Sequence, residues 1–171
     1  MTITEQIRKL TDSQKILEFS DFVLSGSNDS NLPDCEKLDL MKIPKLVPNI
    51  FIADHREGIE KGILIKFSGT LVDERFGQNI QGKFIEDVYA GHDMKEMVSD
   101  LHRASYLDKK PFFAKRVVYY AKGKKEENRR LSTVIFFPCS SNGKDVNYGM
   151  GMAVYETAEQ NFDPVYRLLE Y

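Results

Sequence analysis

Few side chains in this sequence could do chemistry: three histidines (His55, His92, His102), two cysteines (Cys35, Cys139) and a run of cations near residue 125. No spacing among the histidines and cysteines matches a zinc or iron ligand set. Two cysteines cannot build a disulfide framework, so the thiols are read as reduced. His102 falls beside Val98 at the edge of the apolar face of a predicted helix. A haem ligand could stand there, but a lone histidine at such a boundary reads as structural. His92 and Asp93 fall at a helix start, where the pair caps rather than catalyses. Cys139 has no neighbour that would depress a thiol pKa. Gly77 to Gly82 is no phosphate loop, since no Gly-Lys-Ser/Thr follows. Tyr119, His102 and Asp87 are the acid–base candidates of a cavity enzyme, yet no Ser-His-Asp set and no paired carboxylates organise them. The reading is a non-enzyme, with no catalytic residue and no metal.

The cations are unevenly spread. Residues 1–108 hold 13 basic and 19 acidic side chains, 109–130 hold 9 and 2, and 131–171 hold 2 and 5. Lys122, Lys124, Lys125, Arg129 and Arg130 crowd one predicted hairpin turn. Hairpin strands spread such charges over both faces, and alternation puts Tyr119 and Tyr120 on opposite sides. That is a poor stacking platform for bases. The segment is read as a solvated edge whose lysines discourage aggregation, with no nucleic-acid partner.

Those residues sit in a chain of 171 residues, 42% hydrophobic and 29% charged, with a net charge of −2. This describes one globular domain and excludes disordered and fibrous classes. The start MTITEQIRKL has no apolar signal core and no run approaches a membrane span, so the chain is expected to be cytoplasmic. Thr11 and Gln14 have capping-box spacing, and a helix is predicted over Thr11 to Leu24 with Gly26 beyond its end. Its apolar residues cover more than half the circumference, so it needs two apolar neighbours. Residues 25–34 read as a linker. Strands are predicted near 50–54, 63–68, 112–121, 131–137 and 148–155. Short helices fill 69–107, with Thr70 capping one and Asp93 another. The tail DPVYRLLEY has the Asp-Pro start of a short helix. Helices gathered on one face of an antiparallel sheet make an α+β fold.

Three segments in that order resemble a PAS domain, more narrowly the stand-alone PAS-like family common in alphaproteobacteria. LDLMKIPKLVPNIFIAD (38–54) is similar to the family's leucine–proline entry into the first strand. FSGTLVDERFGQNIQGKFIEDVY (67–89) is similar to its Gly-Thr turn, helix and spaced glycines. LSTVIFFPCSSNGKDVNYGMGM (131–152) is similar to its paired strand, proline exit and closing strand. This chain has Phe137-Pro138-Cys139 where the family usually has Leu-Pro-Leu. The resemblance covers roughly residues 32–156, leaving 1–31 as a flanking helix with linker and 157–171 as a tail. It implies a five-stranded antiparallel sheet of order 2-1-5-4-3 cupping a cavity under short helices.

It also implies a sensory or signalling module that binds a small ligand or a partner protein, with no effector domain of its own. The alternative is a pure dimerisation module with a filled core. The pocket candidates are Phe67, Phe76, Ile80 and Phe84 before the long helix, and Met97, Leu101 and His102 upon it. Val117, Tyr119, Ile135, Met150 and Met152 complete them on the later strands. Tyr148 to Val154 puts methionines on one face and Gly149, Gly151 and Ala153 on the other; the flat face is expected to receive another backbone. PAS domains often dimerise through a flanking helix, so a homodimer is expected through Ile16, Leu17, Phe19, Phe22 and Val23. The Asn-Cys-Arg-Phe context of a flavin photosensor is absent, and the cofactor is left unassigned.

Overall fold

The computed structural model describes residues 1–28, 30–120, 125–158 and 161–171. Its centre is an antiparallel sheet of six strands: β1 (Ile50–Asp54), β2 (Leu64–Ser68), β3 (Phe112–Tyr119), β4 (Arg129–Cys139), β5 (Tyr148–Thr157) and β6 (Val165–Leu168). The order across it is β2-β1-β5-β4-β3-β6. The five expected strands stand in the expected order. The sixth replaces the helix expected in the tail. Residues 165–168 pair antiparallel with β3, Phe112 opposite Leu168 and Lys115 opposite Val165. A strand edge with unpaired backbone groups outcompeted a one-turn helix.

Both faces of the sheet are covered, and the two covers differ. On one side lie α1 (Ile3–Leu10) and α2 (Gln14–Leu24). The helix expected from Thr11 is α2, which begins at Gln14, and α1 is a further helix that precedes it. Thr2 and Glu5 form the capping box of α1, and Ser13, not Thr11, caps α2. Ile7, Ile16, Phe19 and Val23 pack with Phe113, Ile135, Phe137, Met150 and Met152, all fully buried or nearly so. The apolar width of α2 is thus satisfied by α1 and the sheet of the same chain.

On the other side lie α3 (Thr70–Phe76), α4 (Ile85–Val88) and α5 (Lys95–Asp108). Gly69, not Thr70, is the N-cap of α3: its N–H bonds the Ile50 carbonyl at 2.8 Å, and a Cβ there would strike the carbonyls of Val47 and Pro48. Met94, not Asp93, stands at the N-cap of α5, and its side chain makes no cap hydrogen bond. Asp73 holds the following loop down, accepting from Ser68 Oγ at 2.5 Å and Ile80 N–H at 3.1 Å.

Cys35 and Cys139 are joined in a disulfide with Cα atoms 5.8 Å apart, which overturns the expectation of reduced thiols. It ties the segment leaving α2 to the end of β4. Disulfides are rare in reducing compartments, so this bond lends no support to the cytoplasmic expectation. No helix among the described residues is long and apolar enough to cross a membrane.

Candidate functional site

The strands set which side chains meet the helices. Successive side chains alternate between faces, so Phe112, Arg116 and Val118 of β3 share the inner face with Ser132 and Val134 of β4 and Ala153 and Tyr155 of β5. With Phe51 and Ile65 they floor a cavity of ≈ 50 Å³, roofed by Arg75 and Phe76 of α3, Tyr89 after α4, and Leu101 and His102 of α5. Pockets for drug-sized ligands run about 300–1,000 Å³. This one is far too small for a haem or an isoalloxazine ring, so the residues present do not fit either group. Both cysteines, moreover, are in the disulfide.

Of the expected pocket residues, Phe76, Ile80, Leu101 and His102 line this cavity. Ile135, Met150 and Met152 do not: they belong to the opposite core, under α2. Val117 and Tyr119 share the parity of buried Phe113 and so also turn away from the cavity. The reason is physical. With both faces apolar, alternation defines two sets of residues without saying which set meets which layer. Phe67 leaves the cavity for another reason. A register shift between Ile52 and Ala53 sets Phe67 opposite Ile52 but Ile65 opposite Ala53, so the two side chains reach different cores. Phe84 lies beside Gly62 and bridges to Leu64, and Met97 packs half-buried at the rim of the inner core.

The expectation for the glycine face is corrected too. Gly149 and Gly151 turn toward the helices of the inner face, not toward α2, and aromatic rings, not a backbone, cover them. A Cβ on Gly149 would lie within the Phe136 ring, and one on Gly151 within Phe51. These two rings stack with centroids 5.9 Å apart, and Phe136 stacks on Phe112 at 5.1 Å. His102 stands edge-on to this stack, 4.7 Å from Phe136 and 5.0 Å from Phe112. Burial, with smaller contributions from His55 and Arg116, pushes its pKa down to about 3. His102 is therefore a neutral ring at pH 7, and its Nδ1 has no partner. His55 also meets Phe136 edge-on, at 6.5 Å, and burial brings its pKa down to about 4.

The residues that distinguish the cavity are two arginines that sequence reasoning passed over. Arg75 is 3% exposed and Arg116 is 5% exposed. Arg75 lies over the Phe76 ring at 4.9 Å, Phe76 meets Tyr89 edge-on at 5.3 Å, and Arg116 Nη2 donates to Tyr89 Oη at 3.2 Å. Arg75 Nη1 and Arg116 Nε are buried without a hydrogen-bond partner. Among the described residues neither arginine makes an ion pair, and no cavity-lining residue is acidic. Tyr155 completes the group: burial, aided by Tyr89 and opposed by Arg75 and Arg116, lifts its phenol well above the ordinary value. A signal was available for Arg116, the one cation among Phe112, Ala114 and Val118 on its face of β3.

Comparison with known proteins adds the fold. No protein-family model matches the sequence, and no curated protein matches it. Solved structures do. The PAS domain of Bordetella pertussis BvgS is 16% identical with a TM-score of 0.53, covering 72% of this chain and 89% of that one. A Light-Oxygen-Voltage domain studied with a flavin analogue gives 11%, 0.52, 70% and 84%. The Vibrio cholerae VqmA dimer, a LuxR-type receptor, gives 11%, 0.51 and 70%, and this chain spans about half, 52%, of that chain's length. The fold is that of a PAS domain. The narrower alphaproteobacterial resemblance gains no support from these matches.

The basic segment is less solvated than expected. Lys122 and Lys124 lie outside the described residues. Arg129 is 7% exposed, donating to the Ala158 carbonyl and Asn161 Oδ1, both at 3.0 Å. Arg130 stacks on Tyr120 with 5.2 Å to the ring centroid. β6 takes the edge of β3 at Phe112–Lys115, the end away from this hairpin.

Proposed function

We propose that the chain is a sensory signalling module, not an enzyme, whose helix-covered cavity takes a small ligand and reports its occupancy to a partner protein. The observation that carries this reading is the pair of buried guanidiniums with unsatisfied donors. A buried polar group without a partner costs stability, so its persistence points to something it serves. The PAS fold supports the same direction, since BvgS and the receptor VqmA share it. Native mass spectrometry of the purified protein tests it. The expected result is a retained small molecule, or one taken up on addition. A mass equal to the polypeptide alone, with no thermal shift across a panel of small metabolites, would overturn it.

The second reading is an interaction module with a filled core, and the small cavity favours it. Either reading accommodates a homodimer, but the interface must shift. Ile16, Phe19 and Val23 are buried in their own chain and cannot face a second copy. Leu17 and Phe22 remain half-buried on α2 and are retained as interface residues. Light scattering should report a dimer that Leu17→Lys with Phe22→Lys converts to a monomer.

A further inference from the structure

We propose that the cavity binds a short carboxylate, its oxygens held by Arg75 and Arg116 and its apolar end lying against Phe51, Val118 and Val134; this deepens the sensor reading and rests on it. Each part follows from the lining. Each guanidinium is a planar fork of N–H donors that matches a carboxylate, and Arg75 Nη1 and Arg116 Nε have no acceptor within the chain. The contacts they do make are with an aromatic ring and the hydroxyls of Tyr89 and Tyr166, which leave both positive charges uncompensated. A buried charge of this kind calls for an opposite one. Nothing acidic in the lining supplies it.

The neighbours complete the match. Tyr89 Oη accepts from Arg116, so its own hydrogen is free to donate to the ligand. Neutral His102 adds an unpartnered ring nitrogen. The remaining lining is aliphatic and aromatic, suited to a hydrocarbon end rather than a second charge. Size sets the limit: at about 10–15 Å³ for each water-sized group, ≈ 50 Å³ holds a molecule as small as acetate or propionate.

The test uses thermal shift and calorimetry on the full chain near neutral pH. Acetate, propionate and butyrate are compared with propionamide, propanol, inorganic phosphate and nitrate, beside native mass spectrometry of the protein as purified. Acetate and propionate should raise the melting temperature, butyrate, beyond the size limit, should raise it less, and the amide and the alcohol should leave it unchanged. Arg116→Met and Arg75→Met should each weaken carboxylate binding at least tenfold and, by removing an uncompensated buried charge, melt no lower than the wild type when unliganded. Should either methionine variant not fold, Arg116→Lys or Arg75→Lys keeps the charge and loses the paired geometry, with the same loss of binding expected. A retained uncharged molecule, with no response to carboxylates, overturns the carboxylate while leaving the sensor reading intact. An equal response to phosphate or nitrate overturns it in favour of a general anion site. No retained molecule and no response to any compound overturns both.

Discussion

The two faces of the sheet bury comparable sets of large side chains and solve opposite problems. The face under α1 and α2 is built from Ile16, Phe19, Phe113, Phe137, Met150 and Met152, with the unpartnered phenol of Tyr171 packed against them. The face under α3, α4 and α5 buries Arg75, Arg116, His55 and His102 among its rings, several of their nitrogens unpartnered. An apolar core gains stability from every methylene it hides. A core holding unpaired charge gives some of that up. The outer face therefore reads as the stabilising half of the molecule and the inner face as the half reserved for binding.

Removing the outer cover should have the largest effect. Deletion of residues 1–25 takes away Ile7, Ile16, Phe19 and Val23 together and bares Ile135, Met150 and Met152 to water. Loss of cooperative unfolding in circular dichroism is expected; a deletion product that is soluble and melts like the full chain would break the comparison. A smaller cut sharpens it. Phe19 is fully buried against Phe137, with centroids 6.3 Å apart. Phe19→Ala should cost about 3–5 kcal/mol in urea unfolding, whereas half-buried Phe84→Ala or Met97→Ala at the inner rim should cost less.

The inner face should instead reveal itself through acid. His55 and His102 have folded pKa values near 4 and 3 against an ordinary 6.5, each chiefly because burial disfavours the charged ring. A depressed histidine makes its full contribution above pH 6.5 and loses it as pH falls toward the folded value. The unfolded chain then binds protons that the native one refuses. By pH 5 the loss is about 2 kcal/mol for each histidine. Unfolding midpoints in urea should fall steadily from pH 7.5 to 5. His102→Leu should flatten that slope by about one proton; an unchanged slope would mean that His102 is not buried as a neutral ring.

How much of this could be read from residues alone depends on the range of the interaction. The strands are legible because β-branched and aromatic runs such as Phe112–Tyr119 impose a local period. Helix α3 is legible because Val72 and Arg75 to Phe76 fall between Gly69 and Gly77. Non-local choices are not. Nothing near Met150 or Met152 says that α2, rather than α5, will cover them. Cys35 and Cys139 are 104 residues apart, so their pairing belongs to the tertiary fold. The tail residues Val165–Leu168 carry a helix-like start, and only the open edge of β3 makes them a strand. In the site, Phe76, Ile80, Leu101 and His102 could be found because helical and loop positions have one buried side. Arg75 and Arg116 were missed because an arginine is expected in water, and its burial shows only once the layers close.

The smallest effect expected here concerns the glycines of β5, where the two faces meet in one strand. Met150 and Met152 fill the outer core, while Gly149 and Gly151 between them leave room on the inner side for Phe136 and Phe51. Cross-strand pairing sets Gly151 opposite both Phe51 and Phe136, so the rings fold over a strand that offers them no side chain. Gly151→Ala adds one methyl where Phe51 already lies. The ring is backed by Phe136, and Phe136 by Phe112 and His102, so it cannot swing away without moving the stack. Such overpacking typically costs about 1–3 kcal/mol, partly offset by the strand propensity gained over glycine. The double variant Gly151→Ala with Phe51→Leu should recover part of the loss, because the smaller side chain vacates the contested space. If Gly151→Ala alone is neutral or stabilising in urea unfolding, the rings do not cover this strand and the inner face is looser than the outer one for a different reason.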